Sequence, residues 1–218
     1  MRPIKLTYYL DVLSSWCLIA EDALARVRAE FGDRIDYEWK IAALRDPLNY
    51  TPDQLRWYYA RTNSVTGVRL NPIWLESTAD GTKWANVAAE GARALGCTDD
   101  RVRLALARGA MVDGKRMSQR DIAVATAAAA GGVRPEDLAR AMDDPQTAAR
   151  IRATSDEFAA YRADVRPTFV IRSAIADMSV LSGCWRHDVL TAAMRGLLED
   201  QDKYDEFVAT SKAPAGVV

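Results

Sequence analysis

The sequence predicts an α/β fold in which a βαβ unit at the start and a ββα unit at the end form one core, interrupted by a large all-helical insertion. Three observations predict it. Residues 4–41 pass from strand to helix to strand patterning. From about Thr51 to Arg162 the chain is dominated by alanine-rich amphipathic segments. Strand character then returns at Thr168 and leads into one long amphipathic run. Neither end could bury its apolar faces alone, so the two complete each other's sheet. The expected division is residues 1–48 and 162–218 for the core and 49–161 for the insertion.

Residues 4–10 are rich in β-branched and aromatic types and predict a strand buried on both faces. From Ser15 the apolar residues Leu18, Ile19, Ala23, Leu24 and Val27 recur at helical spacing, and Gly32 is placed to end the run. Residues 35–41 alternate with period two, which predicts a second strand reached by a right-handed crossover if the pair is parallel. Helices are predicted at 52–63, 82–95, 99–111, 118–131, 135–142 and 145–160. Gly96, Gly114, Gly131, Gly132 and Pro135 mark their ends. Strands follow at 168–172 and 176–181. After Gly183 the stretch 187–207 carries Val189, Leu190, Met194, Leu197 and Leu198 on one helical face.

The formal net charge is -1, from 29 basic and 30 acidic residues, so no global field draws the chain to nucleic acid or to an anionic membrane. No run approaches the ~18 apolar residues that span a bilayer, and the first residues lack the order of a secretion signal, so a cytoplasmic protein is expected. Cys17, Cys97 and Cys184 are odd in number and far apart, which suits neither a disulfide framework nor a zinc site. His187 is the single histidine, so no metal cofactor is expected. The expected partner is a small-molecule substrate, and a homodimer stays open.

Function is carried by four stretches. "DVLSSWC" (11–17), followed by a helix, resembles the Asp-x-x-Cys-Pro-Trp-Cys active-site turn of the DsbA family of thioredoxin-fold proteins. "VRPTFVI" (165–171) resembles that family's proline loop. "LSGCWRHDVL" (181–190) is similar to the glycine turn before its last helix, and "MVDGKRMSQRDI" (111–122) to part of its inserted helical domain. The resemblance implies a thioredoxin-like core and thiol chemistry. Its relevant branches are dithiol oxidoreductases, including FrnE-like proteins, and the kappa-class glutathione transferases with the 2-hydroxychromene-2-carboxylate isomerases. The chain departs from both. Ser14 stands where the oxidoreductases have their nucleophilic cysteine, as the kappa-like enzymes also have serine. Cys17 departs from the kappa-like pattern, and Cys184 and Trp185 stand where those enzymes place small polar or acidic residues. The resemblance implies a low-molecular thiol such as glutathione, or an analogue, as cosubstrate.

A helix N-terminus stabilises an anion by about 0.3–1 kcal/mol, which is how a thiolate is favoured in such a turn. Ser14 cannot ionise without a strong base, but its hydroxyl can donate a hydrogen bond to another molecule's sulfur. Cys17, one turn inward, is either a small packing residue or a thiol that forms a mixed disulfide. An X-Pro bond at Pro167 is trans by default; the resemblance implies cis, with the backbone of Arg166, Pro167 and Thr168 facing the bound thiol or peptide. Arg166 would favour an anionic cosubstrate there, or point to solvent. Asp11 is expected to cap the turn rather than accept a proton, and Trp16 to be an exposed contact surface. The cluster Arg56, Trp57, Tyr58 and Tyr59, with Trp74 and Trp84, is core and helix-packing material or the wall of a cleft. His187 is expected to cap or lie on the surface, and Cys97 to pack. Three functions follow: a thiol-dependent oxidoreductase or isomerase acting on a small molecule with a Ser-x-x-Cys turn; a kappa-like transferase or isomerase in which Ser14 activates a bound thiol; and a non-catalytic binding protein.

Overall fold

The computed structural model describes residues 2–44, 51–76 and 80–211. Strand β1 (Ile4–Leu10) leads into helix α1 (Ser15–Phe31), and β2 (Ile35–Ile41) follows one short turn later. Helices α2 (Pro52–Thr66), α3 (Lys83–Ala94), α4 (Arg101–Met111), α5 (Arg120–Gly131), α6 (Pro135–Asp143) and α7 (Pro145–Ala160) come next, before β3 (Thr168–Arg172), β4 (Met178–Ser182) and α8 (His187–Thr210). The core boundary expected at 48 lies outside the described residues.

The sheet order is β2-β1-β3-β4, with β1 parallel to β2 and antiparallel to β3. The two ends of the chain thus meet in one sheet, as their unburied apolar faces require. Strand β1 is central and buried throughout except at Lys5. Leu6, Tyr8 and Leu10 pack into the main core with Leu24 and Val27 of α1 and Leu190 and Met194 of α8. Tyr9, on the opposite face, packs with Phe158 of α7 and Val170 of β3. A continuous apolar run therefore serves two cores at once.

Several boundaries differ from expectation by one to three residues, and two of these shifts have clear local reasons. Helix α2 continues past residue 63 to Thr66, because the first left-handed residue available to stop it is Gly67 (φ 74°). Its start is fixed by a capping box in which the Gln54 amide N–H donates to Thr51 Oγ1 and the Thr51 N–H to Gln54 Oε1. Strand β4 begins at Met178 and not at residue 176, since Ala176 (φ 74°) is taken up by the hairpin turn between Ser173 and Asp177.

The helices between β2 and β3 are tied to the core by a buried cation. Arg103 of α4 is 3% exposed. Its guanidinium donates to both carboxylate oxygens of Glu21 on α1 (2.5 and 3.1 Å), to Asp100 Oδ1 (2.7 Å) and to the Tyr37 hydroxyl on β2 (3.1 Å). Burial would raise the Asp100 carboxyl, but Arg103, Arg28 and the Tyr37 hydroxyl hold it below its ordinary value. Among the described residues, no helix is long and apolar enough to cross a membrane.

Candidate active site

The turn between β1 and α1 is built on Asp11. Its backbone carbonyl accepts from the Ser14 N–H (3.1 Å), which closes the turn. Its carboxylate is fully buried and accepts four hydrogen bonds: from the Leu13 N–H (2.9 Å), the Leu44 N–H (2.9 Å), the Thr82 hydroxyl (2.7 Å) and the Asn86 amide (2.7 Å). The Asn86 side-chain carbonyl in turn accepts from the Val12 N–H (3.0 Å). Burial pushes the Asp11 carboxyl above its ordinary value, while these donors oppose the rise. Asp11 caps the turn as the sequence implies, and it also locks the turn to the end of β2 and to the start of α3. Thr82, Asn86 and Leu44 were not singled out by sequence. Asn86 could have been, as a polar residue among Ala85, Ala88, Ala89 and Ala92, which are buried with it in α3.

Asp11→Asn is expected to destabilise the protein by about 1–3 kcal/mol. An amide nitrogen would face either Leu13 or the trio Leu44, Thr82 and Asn86, and in each orientation donor meets donor. Urea unfolding would check it; an unchanged midpoint would contradict this role.

Ser14 is the N-cap of α1 (φ −74°, ψ 120°), yet its side chain makes no capping hydrogen bond. Among the described residues, the N–H groups of Ser15 and Trp16 have no backbone acceptor, and the first turn of α1 holds no acidic residue. The helix end is thus left with unspent donors beside a hydroxyl that is not used for capping. Cys17 is different. It is 3% exposed, and the Tyr8 hydroxyl donates to its carbonyl at 3.0 Å. Burial pushes its thiol up to about 12, and the polar groups of Ser14, the Asp11 backbone and Tyr8 nearby only partly oppose the rise. All three cysteines are free.

A cleft of about 410 Å³ opens over this turn. Leu13, Ser14, Ser15 and Trp16 line its floor, Asp164, Val165 and Arg166 one wall, and Gly183 and Trp185 a corner. Tyr58, Tyr59, Arg61, Trp74 and Leu75 line the opposite side, and Thr82 joins them. Of the residues nominated by sequence, Ser14, Trp16, Arg166 and Trp185 come together here. Cys17, Pro167, Thr168 and Cys184 do not line it.

Each of those positions has a local cause. The Arg166–Pro167 bond is cis. Thr168 is buried and spends its hydroxyl on the Val165 carbonyl at 2.8 Å. The Cys184 thiol faces the Arg186 carbonyl at 3.8 Å, and burial raises its pKa. Trp16 is half-buried, not an exposed surface, because its ring packs at 5.9 Å against that of Trp185. Arg166 neither points to solvent nor stands free for an anion. Its guanidinium donates to the carbonyls of Ala42 (2.6 Å), Ala43 (2.8 Å) and Asp164 (3.2 Å) and covers the Phe158 ring. Tyr59 and Trp74 are buried and joined by a hydrogen bond of 2.5 Å from Trp74 Nε1, so they are core and cleft wall together. Trp84 instead bonds Asp80, and Trp57 is exposed. His187 lies beside Thr191 and Glu30 at the start of α8, and Cys97 packs under Gly131. Among the described residues no cluster of His, Cys, Asp and Glu could hold a metal ion.

Residues 5–195 match the DSBA-like thioredoxin domain. The chain belongs to that family. This DsbA-like chain finds no match among curated proteins. Among solved structures it is similar to the cytosolic disulfide reductase DsbM from Pseudomonas aeruginosa, with 20% identity, TM-score 0.69, and 92% of this chain and 99% of that chain covered. A second structure of DsbM contains GSH. It is also similar to a 2-hydroxychromene-2-carboxylate isomerase (14% identity, TM-score 0.62, 92% and 98% covered). A thioredoxin-like oxidoreductase from Silicibacter pomeroyi DSS-3 matches at 13% identity and TM-score 0.61, with 91% and 88% covered. At these identities the likeness shows the fold. Structures of this fold thus include both oxidoreductases and an isomerase, and this chain carries Ser14 at the head of its turn.

Proposed function

We propose that the protein is a thiol-dependent isomerase or oxidoreductase of a small molecule, in which Ser14 activates the sulfur of a bound low-molecular thiol and Cys17 is a structural thiol. The contrast between the two residues carries this reading. Cys17 is buried, absent from the cleft lining and protonated at neutral pH, whereas Ser14 lines the cleft with a hydroxyl not used for capping.

The residues present fit such a thiol. Its sulfur would sit at the N-terminus of α1, where the Ser14 hydroxyl and the N–H groups of Ser15 and Trp16 favour the thiolate over the thiol. Val165 and Arg166 line the adjacent wall. Glutathione is the first thiol to test, since a related structure of DsbM contains GSH. The proton leaves to solvent, and the thiolate supplies the nucleophile that Ser14 cannot. In an isomerisation it adds to an electrophilic carbon and departs again, with no net change in oxidation state. Ser14 O–H holds negative charge on sulfur before the addition and after the departure. Asp11 sets the turn but does not reach the cleft; its carboxylate has four donors of its own.

Alkylation tests the assignment of Cys17. With iodoacetamide at pH 8, peptide mass spectrometry of the native protein is expected to show label on the half-buried Cys184 and none on Cys17, which labels only after unfolding. Incubation with oxidised glutathione is expected to leave Cys17 without an adduct. Rapid labelling of Cys17, or a glutathione adduct on it, would move the chemistry to the protein's own sulfur.

A further inference from the structure

We propose that Arg61, held among the rings of Trp16, Trp57 and Tyr58 on the α2 side of the cleft, is an anion subsite for the second, electrophilic substrate, which is a ring-bearing apolar molecule with a carboxylate. This rests on the proposed function only in assigning the ligand as the second substrate. The guanidinium carbon lies 5.9 Å from the Trp16 ring centroid, 5.3 Å from that of Trp57 and 5.2 Å from that of Tyr58. Trp57 and Tyr58 precede Arg61 by four and three residues, so α2 itself brings their rings alongside. Trp16 comes from the other side of the cleft, two residues after Ser14. The cation is therefore aligned across the cleft by a residue of the active turn.

Rings occupy the faces of a guanidinium and leave its N–H edges to bond. At Arg61 those edges are unspent: among the described residues no hydrogen bond or ion pair reaches them. The other cation of the cleft, Arg166, has donated to three carbonyls. Arg56, nearby on α2, pairs with Asp53. Among the described residues Arg61 is thus the cleft cation without a paired carboxylate, Asp164 on the far wall included, and its side of the cavity also carries the apolar side chains of Leu55 and Leu75. A carboxylate supplied by a ligand would take both edge donors, and the ligand's ring would pack on the aromatic and leucine walls. With the thiol on the Val165 and Arg166 wall, the α2 wall is left to the second substrate.

The matched probes are indole-3-acetate and indole-3-acetamide, which share a ring and differ in charge. Isothermal titration calorimetry at low salt is expected to show the acid binding the wild-type protein at least tenfold more tightly than the amide. Arg61→Gln should erase that difference while leaving the amide unchanged, and Ser14→Ala should preserve it. Arg61 is exposed, so Arg61→Gln should keep the wild-type unfolding temperature. Equal binding of the two probes, no binding of the acid, or discrimination that survives Arg61→Gln would overturn the subsite. Because the readout contains no thiol, such a failure would leave the reading of Ser14 standing. Loss of thiol chemistry alone would equally leave Arg61 in place.

Discussion

Ser14→Ala is expected to lower thiol-dependent turnover by about 10²-fold, the loss typical of removing one well-placed donor to a developing anion. The hydroxyl is the side-chain donor that the turn presents to the cleft, and α1 does not use it as a cap. Its removal leaves the backbone N–H groups of Ser15 and Trp16 and the partial charge of the helix end, which together keep some rate. The pH profile should move as well. The bound thiol's apparent pKa should rise toward its value in solution, so that activity recovers part of its loss at alkaline pH. Cys17→Ala should behave differently, costing on the order of 1 kcal/mol of stability for the small cavity and leaving turnover within about twofold. If Cys17→Ala removes turnover and Ser14→Ala does not, the roles are reversed.

Arg103→Met is expected to destabilise the protein by about 3–5 kcal/mol at pH 7, because it strands the Glu21 carboxylate in a largely buried position and leaves that of Asp100 to Arg28 and the Tyr37 hydroxyl. The methionine side chain replaces the aliphatic stem but has no donor for Glu21, Asp100 or the Tyr37 hydroxyl. The effect depends on pH with a defined sign. Asp100 has a folded pKa below its unfolded value, so its contribution is present above about pH 3.9 and is lost as pH falls through the lower folded value. In the variant the share supplied by Arg103 is gone, and only Arg28 and the Tyr37 hydroxyl keep theirs. The gap between wild type and variant should therefore narrow as pH drops below about 4, which urea unfolding at pH 7 and at acid pH would measure. A gap that stays constant across that range would show that Asp100 does not depend on Arg103.

The fold was legible because its strands and helices are local patterns. Leu18, Leu24 and Val27 have helical spacing whatever they pack against, and 35–41 alternate whichever strand they join. The turn was legible for the same reason: Asp11, Ser14, Trp16 and Cys17 are adjacent in sequence, so a familiar spacing marks them. What escaped was everything that depends on partners far along the chain. The fork of Arg166 bonds the carbonyls of Ala42 and Ala43, more than a hundred residues away, and nothing near Arg166 announces that use. Trp16 was expected to be exposed because Trp185, which covers it, belongs to the opposite end of the chain. Thr82 and Asn86 lock the turn from the start of α3, about seventy residues further along the chain, and nothing local to them announces that use. Arg61 is uninformative within α2, and gains meaning when Trp16 is brought beside it.

The central claim is that the turn handles a sulfur brought by a cosubstrate and held by Ser14. A crystal structure of the protein soaked with glutathione tests it most directly. The expected result is a glutathione sulfur within hydrogen-bond distance of Ser14 Oγ at the N-terminus of α1, with the Cys17 thiol free beneath it. A disulfide bond between that sulfur and Cys17 would contradict the account.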